Sequence, residues 1–124
     1  MQAINEIANY VSQNTRNKIV FCANSIDELK FVDIGYTLSK MLEDNWENKE
    51  ASITQLFVTN ETHNNIGKYF AIKNVGILFE PELKLNIHDI LESYSKNQCL
   101  IIQTDSELFE LFNLQGLSYK TLSI

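Results

Sequence analysis

Glycine, proline, cysteine, histidine and basic residues are all scarce in this chain, and each shortage excludes a class of function. There are four glycines and a single proline, Pro81. None of the glycines falls in the turn after the first apolar run (residues 18–23, KIVFCA), where a phosphate-binding loop would belong in an α/β chain. That turn reads NSIDELK, and Asp27 and Glu28 put negative charge where a phosphate would sit. The only glycine–lysine pair, Gly67-Lys68, has Thr62 five residues before the glycine and Tyr69 where a magnesium-binding hydroxyl would stand, so it is a coincidence of composition.

Two cysteines and two histidines cannot make a zinc site of the usual kind unless all four converge. His63 and His88 are distant in sequence and read as polar-face residues of helical stretches. Cys22 and Cys99 each lie inside an apolar run and read as buried, reduced thiols. The expectation is no metal and no cofactor. Ten lysines and arginines against 16 acidic residues leave a formal charge of −6 and a pI near 4.8. Such a surface does not grip nucleic acid or an anionic membrane directly. No apolar run reaches the length of a membrane span, and the start MQAINEIANY lacks the basic n-region and apolar core of a signal peptide, so the chain reads as cytoplasmic.

What is present is a good core. The chain has 124 residues, 44% hydrophobic and 10% aromatic, which suits one domain over residues 1–124. Its organising stretch is 72–103. An apolar run at 75–79 (VGILF), stopped by Glu80 and Pro81, reads as a strand. Asn86 caps a helix with Ile87, Ile90, Leu91 and Tyr94 on one face, and 99–102 reads as a second apolar strand. Strand, crossover helix and strand imply a parallel pair.

Elsewhere, residues 2–14 form an amphipathic helix with Ile4, Ile7, Ala8 and Val11 on one stripe, followed by the strand 18–23. Ser25 with Glu28 matches a capping box for a turn or two of helix. Residues 31–36 (FVDIGY) alternate like a strand near an edge, and 38–44 forms a short helix. The charged connection 44–50 carries the only tryptophan, and a longer helix runs from about 53 to 70. A helix at 105–113 and a strand at 117–122 complete the chain. The alternation predicts a three-layer α/β domain: a mostly parallel sheet of about five strands with helices on both faces, the runs KIVFC, NVGILF and CLIIQ being adjacent at its centre.

Chemistry is thinly marked. Glu80 and Glu82 follow an apparent strand end, where α/β proteins bind ligands, and are the candidate acid/base pair or magnesium site; solvated loop charges explain them as well. No serine, cysteine or threonine sits in a nucleophile-elbow context, and the acidic residues Asp105, Glu107 and Glu110 suit a helix N-terminus. Tyr36 and Trp46 flank a short helix in polar surroundings and are the candidate contact surface for another protein subunit or for self-association.

The run 77–97 (ILFEPELKLNIHDILESYSKN) resembles the small P-loop protein of bacteriophage-exclusion (BREX) defence systems. The matching features are Leu78-Phe79-Glu80-Pro81, Leu83-Lys84 and Ser95-Lys96-Asn97, with Leu38-Ser39 and Leu117-Ser118-Tyr119 outside that run. The likeness covers roughly 80 residues of short motifs. It implies a degenerate P-loop-like fold: the Walker A loop is replaced by NSIDELK, the Walker B aspartate falls on Lys73, and the acidic residue three later falls on Gly76. No catalytic residue carries over. The resemblance therefore implies a non-catalytic binding or scaffolding subunit, in a bacterial anti-phage assembly. The alternatives are a small nucleotide-binding protein or hydrolase using carboxylates at strand ends, or an acidic inhibitor of a nucleic-acid-binding partner.

Overall fold

The structure is a computed structural model describing residues 2–122. Its centre is a sheet in the order β2-β4-β5-β1-β6, made of β1 (Ile19–Cys22), β2 (Phe31–Asp33), β4 (Gly67–Lys73), β5 (Cys99–Gln103) and β6 (Lys120–Thr121). All four pairings along that path are parallel, and the short β3 (His63–Asn64) adds an antiparallel hairpin to β4. The expected α/β class and parallel sheet are what the chain forms.

The strands at the middle are apolar on both sides because both sides are covered. Ile19 and Phe21, Phe70 and Ile72, and Leu100 and Ile102 point into one core. Val20 and Cys22, Tyr69 and Ala71, and Cys99 and Ile101 point into the other. The first core is roofed by α2 (Ile34–Asn45), α3 (Lys49–Val58), α4 (Ile87–Tyr94) and the short α5 (Ser106–Phe109). The second is closed by α1 (Gln2–Val11) together with Ile26 and Leu29 of the β1–β2 loop and Ile66. Buried polar side chains pin the layers. Asn17 Nδ2 donates to Glu92 O and Ser95 Oγ, and Gln98 Nε2 donates to Phe57 O while its Oε1 accepts from Asn60 Nδ2.

Several expected elements are corrected. The run 75–79 is not a strand but a 3₁₀ segment, Val75–Phe79, followed by a second, Pro81–Leu83. The strand beside β5 is β4 instead, with Tyr69 opposite Cys99 and Ile72 opposite Ile102. The helix expected over 53–70 stops at Val58, and its tail is the β3–β4 hairpin. Gly67, at φ 103°, supplies that hairpin's left-handed residue, so Gly67-Lys68 opens a strand and His63 lies on a hairpin, not a helix. Asp33 ends β2 and caps α2 at once, so the strand expected over 31–36 is three residues long and the helix starts at Ile34. No helix follows Ser25, whose hydroxyl instead donates to Gln103 Oε1 at 2.5 Å, while Leu29 N closes a turn onto Ile26 O. The last helix and strand are shorter than expected, at Ser106–Phe109 and Lys120–Thr121.

Candidate functional site

A cleft lies between one stripe of α2 and the paired 3₁₀ segments beyond the C-terminal end of β4. From α2 come Gly35, Ser39, Leu42 and Glu43, at spacings that keep them on one helix face, and Trp46, the first residue of the 3₁₀ turn that follows the helix, extends that side. Asn74, Ile77, Glu80, Glu82 and Leu83 form the opposite wall. The cleft is open to solvent and has a volume of about 620 Å³, room for a small ligand or a side chain.

Local sequence explains the wall. Asn74 takes the left-handed conformation (φ 60°) directly after β4 and turns the chain out of the sheet. Val75 and Leu78, three apart and therefore on one side of a 3₁₀ turn, anchor in the first core, and Leu83 does the same from the second turn. Glu80 N closes onto Ile77 O at 3.2 Å, Leu83 N onto Glu80 O at 3.0 Å, and Lys84 N onto Pro81 O at 3.2 Å. Pro81 suits the first position of its turn because no backbone N–H is needed there. This geometry leaves Glu80 and Glu82 exposed at the mouth.

The α2 side is tied to the wall through Asp33. Its Oδ1 accepts from Tyr36 N at 3.0 Å and from Asn74 Nδ2 at 3.1 Å. These bonds, the Tyr36 N–H foremost and the Asn74 amide next, with Lys73 nearby, hold the Asp33 carboxyl below the usual carboxylate range. Gly35 meets Asn74 so closely that a Cβ would lie 2.8 Å from Nδ2 and 3.0 Å from the Asn74 carbonyl oxygen.

The structure thus brings Trp46, Glu80 and Glu82 to one cleft, and adds Glu43, a residue the sequence did not single out. Its signal was the four-residue spacing from Ser39 on one helix face, which acquires meaning only once the 3₁₀ segments are known to pack opposite that face. Trp46 is 49% exposed. Tyr36, 65% exposed, is not in the cleft: it stands one position around the helix, with the Lys40 ammonium 5.8 Å from its ring centroid. The lining contains three carboxylates and no lysine or arginine.

Other reactive groups lie elsewhere. His88, Asp89 and Glu92 place potential ligand atoms within 4.8 Å of one another on α4. There His88 Nε2 bonds to Gln115 O at 2.8 Å, and Arg16 lies 3.7 Å from Glu92. Cys22 and Cys99 are buried free thiols, pushed by desolvation up to about 11 and about 12 respectively. A smaller hollow, about 220 Å³, opens at the C-terminal ends of β1, β5 and β6, but Asp105 there is committed to Leu108 N at 2.8 Å.

Fold and site together define an open α/β domain with a cleft beyond the carboxyl ends of its strands, the usual ligand position of such sheets. No protein family, curated protein or solved structure matches the chain. Among the described residues, no helix is long and apolar enough to cross a membrane.

Proposed function

We propose that this chain is a non-catalytic binding or scaffolding subunit that engages another protein through the α2 cleft. The observation that carries the reading is Trp46, a half-exposed indole standing at a cleft with an apolar floor and an acidic rim. Tryptophan gives more contact energy per residue than almost any other side chain at protein interfaces, and its exposure here leaves that surface available. The run that resembles the BREX P-loop protein supplies the 3₁₀ wall of this same cleft, and an anti-phage assembly is the setting we propose for the subunit.

A second reading, a small nucleotide-binding protein or hydrolase, is favoured by Glu80 and Glu82 lining a cleft at a strand's carboxyl end. The two separate cleanly. The binding reading expects a partner that co-purifies with the wild-type chain in its native host and is lost on Trp46→Ala, with the melting temperature almost unchanged. Isothermal titration should show no binding of Mg·ATP or Mg·GTP below about 1 mM, since three carboxylates at the cleft repel a polyphosphate. A micromolar nucleotide affinity abolished by Glu80→Ala, or turnover lost with it, would overturn the binding reading in favour of the enzyme.

A further inference from the structure

Resting on that binding reading, we infer that the cleft receives an arginine side chain from a basic, partly apolar segment of the partner. The lining divides into the parts such a side chain needs. Leu42, Ile77 and Leu83 offer an apolar floor for the methylene stem. The Trp46 indole offers a π-face on which a planar guanidinium stacks, and tryptophan is the strongest aromatic partner for a cation. Glu43, Glu80 and Glu82 offer carboxylates to the five guanidinium N–H donors.

Charge excludes the other occupants. No lysine or arginine lines the cleft, so its carboxylates are not neutralised within the lining. A phosphate-bearing ligand would be repelled by all three. A second copy of the chain would bring a further net charge of −6 and the same acidic rim. Lysine could satisfy the carboxylates, but its compact ammonium lacks the flat face that matches the indole and the fork that matches a carboxylate. The neighbouring Tyr36–Lys40 pair, 5.8 Å from ammonium to ring centroid, is a cation–aromatic contact of the same chemical kind already made on this helix.

The test uses the full chain and acetylated, amidated pentapeptides Gly-Leu-Xaa-Leu-Gly with arginine, lysine or citrulline at the centre. Because Trp46 is the only tryptophan, its fluorescence reads the cleft directly. The arginine peptide should shift the emission and saturate with half-effect below about 1 mM at low salt. The lysine peptide should bind several-fold more weakly, and the isosteric but uncharged citrulline peptide should not bind. The double variant Glu80→Gln/Glu82→Gln, which removes charge from exposed positions without changing volume, should weaken the arginine peptide about tenfold or more, as should 0.5 M salt. Equal binding of the citrulline peptide, an unchanged affinity in the double variant, or a lysine peptide as tight as arginine would each overturn the inference. Should the native partner be lost with Trp46→Ala but retained by the double glutamine variant, the arginine assignment falls while the binding reading stands. Micromolar nucleotide binding at the cleft would remove both.

Discussion

Asp33 and Asn74 are 41 positions apart, yet the Asn74 amide donates to Asp33 Oδ1 at 3.1 Å across the carboxyl ends of the parallel strands β2 and β4. The same oxygen caps α2, so one carboxylate fixes the start of a helix, the exit from a strand and the back of the cleft. Because its folded pKa is lowered, its contribution to stability is present above the unfolded aspartate value of about 4 and is lost as pH falls through the lower folded value. Asp33→Ala should therefore lower the melting temperature at pH 7, and the gap to wild type should close on acidification below pH 4. A gap that persists unchanged at pH 2 would show that the carboxylate charge is not what matters.

Gly35→Ala should destabilise the protein although alanine is the better helix former. The propensity gain is at most about 1 kcal/mol. Against it stands a Cβ 3.0 Å from a backbone oxygen of Asn74, and relief requires moving the turn that builds the cleft wall. Overpacking of this kind costs about 1–3 kcal/mol. Chemical denaturation of the single variant should show the loss; a stability gain would mean the Asn74 turn yields freely.

Ile101→Asp and Ile77→Asp should behave oppositely. Ile101 is 0% exposed in the central strand β5, and an unpaired carboxylate there costs several kcal/mol against a total stability of about 5–15. That variant should not fold cooperatively. Ile77 is only partly buried, on a 3₁₀ turn beside the cleft, so its aspartate can reach solvent and a cooperative melt should survive. Circular dichroism melts of both decide the point, and an unfolded Ile77→Asp protein would mean the turn is as central as a strand.

The two thiols predict an alkaline limit. Both are raised above the ordinary value of 9.0, to about 11 for Cys22 and about 12 for Cys99, so the folded chain holds protons that the unfolded chain releases. Their contribution is intact below pH 9 and declines as pH climbs through 11–12. Replacing both with alanine should flatten stability between pH 9 and 11 relative to wild type, whatever it does to stability at pH 7. In the native protein both thiols should resist a disulfide reagent until denaturant is added; fast native labelling would contradict their burial.

Periodicity and capping determined much of this protein directly from sequence. Ile4, Ile7 and Val11 marked α1, Asn86 and its 3–4 spacing marked α4, and the apolar runs at 19–22 and 99–102 marked two buried strands. Those signals are local, so they survive without tertiary information. The identity of the strand between β2 and β5 is not local. Val75–Phe79 and Tyr69–Ile72 are both short apolar runs, and such a run is compatible with a strand or with a buried turn. What separates them is that the backbone of 69–72 finds partners on both sides, in β2 and β5, whereas Asn74 turns 75–79 away from the sheet. The cleft depended on that choice. Trp46, Glu80 and Glu82 were each legible as residues of interest. Only the tertiary placement of the 3₁₀ wall against α2 put them, with Glu43, in one site and left Tyr36 outside it.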